Sequence, residues 1–278
     1  MLLDDNEETL EILSPSPEMT ALIGVLRETM KRFPEHEGSD ARPLLWEELP
    51  LEAFVREAAR LPLMLSGWPK GEIPDSNLST GEILHDLSSE LGLMSGEDLK
   101  EAFLLDVEGE GAASDYRRVL EARSVSLLWK NSAVMGWSGF EVETQNLALQ
   151  AALKRKRAFA DAFRGEISWM TLRAHDLLKG AALIEKAVAG EMISLDEAKH
   201  FKERIGGELL LRFSSWQSLS RALLVAALWT GLEESIHAAE DDLRQTAMAL
   251  ERLLAEDGAW RQFPWPVQKE DDSLPEVY

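Results

Sequence analysis

Apolar residues recur along this chain at intervals of three and four positions, the spacing that gathers side chains on one face of a helix. Runs that alternate apolar and polar residues are almost absent. Ser16-Pro17 offers a capping hydroxyl followed by proline at the first helical position, and predicts a helix to about Phe33. A second helix reads from Leu51 to Leu65. Ser79-Thr80-Gly81-Glu82 is a capping box that opens a helix to about Leu91, and "SGED" at 95–98 starts another. Residues 114–135 and 144–164 carry helical patterns on either side of "GWSGFEVE". Ser168 stands before the next helix, and Ser194-Leu195-Asp196-Glu197 is a second capping box. Ser214 with Gln217 is a third, opening a tract from Trp216 towards Ala255 with a break at Gly231. The one weak strand candidate is "FEVET" at 140–144. The prediction is an all-α, multi-helix globular fold with antiparallel helical hairpins and little or no β-structure.

The stretches "EHEGSDARP" and "VEGEGAAS" read as loops, and "SGWPKGEIPDSN" (66–77) is the best boundary because glycine and proline interrupt both helix and strand. Residues 1–78 then form an acidic helical segment packed on a main helical domain at 79–266, and 267–278 form an acidic tail. No repeat of fixed period is present.

Composition sharpens this picture by exclusion. The chain has 278 residues and no cysteine, which removes disulfides, thiolate metal sites and a cysteine nucleophile. The start, "MLLDDNEETL", is acidic where a signal peptide is basic, and the most apolar run, "ALLVAALWTG" at 222–231, is far too short to span a bilayer. A cytoplasmic location is expected. The net charge is −21; residues 1–139 hold 12 basic and 27 acidic side chains, and 140–278 hold 17 and 23. Such a field repels nucleic acid and anionic membrane and accelerates association with a basic protein. The one basic cluster, Lys154-Arg155-Lys156-Arg157, lacks interleaved aromatics and reads as a solvated face or as a pairing partner for the acidic half, not as a nucleic-acid site.

Two spacings invite a chemical reading. Glu-x-x-His occurs at Glu82/His85, Glu197/His200 and Glu234/His237, and i, i+3 pairs of this kind supply ligands in di-iron helical bundles. Glu82 and Glu197, however, each stand three residues after a serine cap, where glutamate stabilises a helix start. The face of 195–213 that carries Leu195, Ala198, Phe201, Ile205 and Leu209 is apolar, and Glu197, His200, Arg204 and Glu208 lie opposite it. Leu228, Leu232, Ile236, Ala239 and Leu243 turn inward in the following tract, leaving His237 at a polar edge. Glu197, His200, Glu234 and His237 are therefore weak metal candidates. His85-Asp86 and His175-Asp176 match part of the His…His-Asp…Asp metal set of helical phosphohydrolases. Adjacent helical residues diverge by about 100°, so the dipeptide alone assembles nothing. No nucleophile elbow, zinc-protease, P-loop or dinucleotide motif occurs, and no catalytic residue and no cofactor is indicated.

The second half carries a series of elements. His175-Asp176-Leu177-Leu178-Lys179 precedes a turn at Ala189-Gly190-Glu191-Met192-Ile193, then Glu197-Ala198, Phe213-Ser214-Ser215-Trp216, and Trp260…Phe263-Pro264-Trp265. In order and spacing over about 170–266 this resembles a bacterial family known as domain of unknown function 1266, with a weaker echo from about 79. The family's Trp-Asp-x-x-Arg reads His-Asp-x-x-Lys here, and lysine does not reproduce the bidentate contacts of arginine. The resemblance implies a helical fold and lends no catalytic residues. It makes His175, Asp176, Lys179, Trp216, Trp260 and Trp265 the candidate cleft or packing motif. Asp176 is expected to pair with Lys179 or with a neighbouring backbone amide. Gly190 is expected as a left-handed helix C-cap, and Gly180-Ala181-Ala182 and Gly206-Gly207 as sites of close helix approach. The expected function is a non-catalytic helical module that binds a protein partner, a basic one in the case of an immunity or antagonist protein. A metal-dependent hydrolase or di-iron enzyme and a chaperone-associated accessory protein are the alternatives.

Overall fold

Ser16 caps its helix as its position predicts. Its Oγ accepts a hydrogen bond from the Met19 amide at 3.2 Å, and Pro17 is the first helical residue. The computed structural model describes residues 13–34, 51–67, 80–104, 111–122 and 142–266, and all regular structure among them is helical. The helices are α1 (Pro17–Met30), α2 (Leu51–Leu65), α3 (Thr80–Leu91), α4 (Gly96–Leu104), α5 (Ala112–Glu121), α6 (Val142–Ala162), α7 (Trp169–Ala189), α8 (Leu195–Arg212), α9 (Trp216–Gly231), α10 (Ile236–Leu254) and α11 (Ala259–Gln262). The all-α expectation holds. The strand candidate at 140–144 does not, because Val142–Thr144 form the first turn of α6. Ser79, the "EHEGSDARP" loop and most of the 66–77 boundary lie outside the described residues.

Helix ends show where local chemistry decides. At α8 the Ser194 Oγ accepts from the Glu197 amide at 3.2 Å while Glu197 Oε2 accepts from the Ser194 amide at 3.0 Å, a complete capping box. At α9 the cap is Ser215 rather than Ser214. The Ser218 amide donates to Ser215 Oγ at 3.0 Å, and Ser218 Oγ accepts from the amides of Ser214 and Ser215. Ser218 thus plays the part foreseen for Gln217. The α7 C-terminus closes in a Schellman motif, in which Met192 N–H donates to Ala187 O at 2.9 Å and Glu191 N–H to Val188 O at 3.0 Å. The left-handed residue is Glu191, with φ +54°, and Gly190 keeps an ordinary φ. What Gly190 supplies is space: a Cβ there would stand 3.3 Å from Ile83 Cγ2 and 3.4 Å from Leu84 Cδ2.

The chain divides into two compact units that interleave along the sequence. The first gathers the described residues of Met1–Arg32, Glu108–Asp176 and Ala222–Ala247. In it α1 buries Met19, Leu22, Ile23 and Leu26 and lies against α6, where Arg27 contacts both carboxylate oxygens of Glu166 at 3.2 Å. Its aromatic centre is Trp229, whose ring meets Tyr116 edge-on at 4.9 Å and Phe159 at 6.0 Å.

The second unit gathers the described residues of Phe33–Val107, Leu177–Arg221 and Met248–Tyr278. Here α2 packs along α8. Phe54, Val55, Ala58 and Ala59 of α2 are buried, and so are Ala198, Ile205 and Leu209 of α8. Leu195 departs from the predicted apolar stripe and is 73% exposed. Lys202 is buried instead, its Nζ 2.6 Å from Glu185 Oε1, and this ion pair ties α8 to the last turns of α7. Gly206 faces α2, where a Cβ would lie 3.2 Å from Leu51 Cδ2 and Val55 Cγ2. Gly207 faces open space, with no heavy atom within 4 Å of a Cβ. The close-approach role expected of both glycines therefore belongs to Gly206 alone.

This difference gives a test. A helical glycine that touches nothing costs about 1 kcal/mol relative to alanine. Gly207→Ala should raise the thermal midpoint by a few degrees, whereas Gly206→Ala, crowded against Leu51 and Val55, should leave it unchanged or lower it. Paired melts followed by circular dichroism read both.

Candidate functional site

The most highly directed polar cluster lies in the first unit, around α5. This helix has ten residues, starts without a capping side chain of its own at Gly111, and is too short to persist alone. Its first amides are instead met by Asp176 of α7. One carboxylate oxygen accepts from Ala112 N–H at 2.8 Å and the other from Ala113 N–H at 3.1 Å. A carboxylate on the first amides of a helix is the favourable end of the helix dipole. Asp176 is 2% exposed, so this cap is sheltered from water. Gly111 makes room for it, because a Cβ at 111 would stand only 2.4 to 2.6 Å from the carboxylate atoms.

The other end of α5 is met by a cation. Arg157 of α6 is fully buried, and its Nη1 donates to the carbonyl of Val119 at 3.0 Å and to that of Ala122. Its Nε donates to Asp161 Oδ2 at 2.8 Å, which balances the charge. Burial acts to raise the pKa of Asp161. Hydrogen bonds from Arg164, the Leu13 amide and Arg157 more than offset that, and the carboxyl titrates below its ordinary 3.8.

The neighbouring basic residues are engaged in the same way. Lys156 bridges Asp115 of α5 at 2.8 Å and Glu233 at 3.2 Å, and its Nζ sits 5.2 Å from the centre of the Trp229 ring. Arg155 donates to the carbonyls of Leu232, Glu233 and Glu234, which follow the C-terminus of α9, at 2.8 to 2.9 Å. The basic cluster is therefore not a solvated face: Arg157 and Lys156 are buried, Arg155 is partly buried, and only Lys154 is exposed. Tyr116 completes the cluster. Burial, with Asp161 adding and Arg164 subtracting, pushes its phenol up to about 12.

The remaining sequence candidates are placed as follows. His175 is partly exposed, with Nδ1 3.5 Å from Asp176 Oδ1. Lys179 is exposed on α7, and the Asp176 carboxylate engages amides far along the chain, not neighbouring ones. His200 and His237 have side chains 84% exposed, beside Glu203 and Asp241. Glu197 belongs to the α8 capping box and meets Lys100 at 3.4 Å, and Glu234 is exposed. Among the described residues no three His, Asp or Glu side chains are gathered so as to hold a metal ion. In the second unit Trp216, Trp260 and Trp265 form one aromatic cluster with Phe54. Trp216 and Trp260 stack at 4.4 Å, and their indole N–H groups donate to Phe263 O at 2.6 Å and Glu57 O at 2.7 Å. No helix among the described residues is long and apolar enough to cross a membrane.

Sequence reasoning missed Gly111 and the inward roles of Arg155, Lys156 and Arg157. The signal for the first was a helical pattern that begins at "GAAS" with no Ser, Thr, Asp or Asn at its cap, so that the cap has to come from elsewhere.

A family model described as "Protein of unknown function (DUF1266)" matches residues 89–265, and the chain belongs to that family. The match covers the motif series at about 170–266 and most of the weaker echo from about 79, and it takes in both Gly111 and Asp176. No curated protein and no solved structure matches the chain.

The trans cap predicts a compensating pair. Asp176→Ala leaves two α5 amides without their acceptor and should destabilise by about 2 kcal/mol. Gly111→Ser alone should destabilise at least as much, because its side chain collides with the carboxylate. Together they should cost less than the sum, since the serine can then cap its own helix, and a double-mutant cycle on thermal midpoints measures this coupling. A spectrophotometric titration should also show one of the two tyrosines ionising only near pH 12. The folded phenol titrates above its ordinary 10.0, so this contribution to stability is full below pH 10 and is lost as the pH rises towards 12.

Proposed function

We propose that this member of the DUF1266 family is a non-catalytic helical module that binds a basic protein partner, in the manner of an immunity or antagonist protein. The observation that carries the reading is the placement of charge. The chain holds 50 acidic against 29 basic side chains, and three members of its one basic cluster are engaged within the chain, Arg155 and Arg157 on carbonyls at helix ends and Lys156 on carboxylates. The outward field is left strongly negative, which favours steered encounter with a positive surface. The groups that suggested reaction chemistry have other work. Asp176 is a buried cap and Glu197 a helix-start residue, and His200 and His237 lie exposed, each beside one carboxylate of its own helix.

Affinity capture from the source cell at low and at physiological salt tests this, followed by association kinetics with whatever basic protein is retained. The on-rate should fall by about tenfold or more as salt rises, with a smaller change in off-rate. Retention of no basic protein at low salt, or an on-rate indifferent to salt, would count decisively against the reading.

A further inference from the structure

Two segments of the second unit, α3 and the start of α4, meet at the turn that joins α7 to α8. Leu84 of α3 approaches Gly190, with its Cδ2 3.4 Å from a Cβ placed there. Gly96, at the start of α4, abuts the other side of the turn, where a Cβ would lie 3.0 Å from Met192 O and 3.7 Å from Ile193 Cγ2. Lys100 of α4 reaches Glu197 of α8 at 3.4 Å. Met94, just ahead of α4, is 78% exposed, Leu195, the first residue of α8, is 73% exposed, and Leu84 of α3 is 37% exposed. Single exposed apolar residues need no explanation, but three on segments that meet at one turn do.

Around them carboxylates outnumber cations, and the exposed Lys199, one turn from Leu195, already stands near Glu52 at 3.8 Å and Glu203 at 3.9 Å. Glu191, Asp196 and Glu97 are exposed, and Lys100 is already shared between Glu97 and Glu197. Glu191 adds an energetic clue, because it occupies the left-handed position of the Schellman motif at φ +54°. Glycine fits that position without strain, whereas a side chain there costs on the order of 1 kcal/mol. The turn keeps a carboxylate beside the apolar residues at the expense of local stability.

We infer that Leu84, Met94 and Leu195, with their acidic rim, form the docking face for a basic amphipathic segment of a partner protein, whose apolar side chains cover the leucines and methionine while its lysines or arginines meet the rim. Charge complementarity selects this occupant. A second copy of the chain brings the same acidic rim and a net charge of −21, and nucleic acid and anionic membrane are repelled for the same reason. The inference rests on the protein-binding reading above and adds to it a place and a partner chemistry.

The test uses the full chain and two fluorescent probes: a short amphipathic peptide of lysine and leucine at helical spacing, and an oligolysine of equal charge. Anisotropy titrations at low salt should show the lysine–leucine peptide binding more tightly than oligolysine. Met94→Ser with Leu195→Ser should weaken that peptide about tenfold and leave oligolysine within about twofold. Glu191→Gln with Asp196→Asn should weaken both probes about threefold and flatten their salt dependence. All four positions are exposed, so melting temperatures verify that the variants fold. Leu211→Ser is the control: it is 76% exposed and lies about 24 Å along α8 from Leu195 by the rise per residue, and it should change nothing. If the wild-type chain binds the peptide and Met94→Ser/Leu195→Ser does not weaken it, or Leu211→Ser weakens it equally, this docking face is wrong while the binding reading stands. If the wild-type chain binds neither probe at low salt, both fall. A wild-type dimer that Met94→Ser/Leu195→Ser separates would overturn the inference by showing a self-interface.

Discussion

The first unit depends on how α5 is held at its two ends. A helix of ten residues leaves four amides and four carbonyls without internal partners and has little cooperative stability of its own. Here a buried carboxylate meets the amides and a buried guanidinium meets the carbonyls, each the sign that the helix dipole favours at that end. Both charges come from other helices, Asp176 from α7 and Arg157 from α6, so the caps are also the joints that fix α5 in place. Gly111 is part of the same device, since any side chain there would occupy the volume of the carboxylate.

Burying these charges is tolerable because none is left uncompensated. Arg157 has Asp161 and two carbonyls, Lys156 has two carboxylates and the face of Trp229, and Asp161 accepts from Arg157, Arg164 and the Leu13 amide. The depressed pKa of Asp161 states the same balance as linkage. Its folded value lies below the ordinary 3.8, so its contribution is present at neutral pH and is lost as the pH falls through that lowered value. Exposed pairs such as Lys31–Glu28 and Arg117–Glu121 contribute little by comparison, being screened and mobile. The division of labour has an electrostatic result. Arg157 is drawn inward to satisfy a helix end and Lys156 to meet carboxylates, which takes two cations from the surface of a chain whose net charge is −21.

Much of the helical order was legible because its signals are local. Ser16 and Ser194 cap helices through hydrogen bonds that span three residues, and such bonds can be read from spacing alone. The errors arose where the deciding contact is distant or where two residues compete. Ser214 and Ser215 are adjacent and chemically equal, and only the position of Ser218 separates them. Glycine preference pointed to Gly190 for the left-handed turn, but the approach of Ile83 and Leu84 reserves that glycine for space and passes the strained φ to Glu191. Lys179 was the local partner for Asp176, whereas the actual one lies 64 residues back along the chain. Of the two readings of the basic cluster the solvated face fails and pairing with the acidic half holds at Lys156–Asp115, while periodicity passed over Lys202 altogether. Long cationic side chains can bury their stems and carry a charge to an interior partner, which a polar label does not reveal.

The family match and the folding of the chain do not share a boundary. The matched span, 89–265, contains both halves of the α5 clamp, so that device belongs to the family's own stretch of sequence. It also contains Trp216, Trp260 and Trp265, yet not the residues that complete their cluster. Phe54 of α2 packs against Trp216 at 5.4 Å and against Trp265 at 5.1 Å, and the Trp260 indole donates to Glu57 O. Without α2 a stacked pair of tryptophans would lose its cover and one buried indole N–H its acceptor, a cost that a folded unit does not leave unmet. Gly206 points the same way, since the space it opens on α8 is filled by Leu51 and Val55 of α2. Residues ahead of the matched span are therefore structural members of the second unit, and its stability is a property of the longer chain.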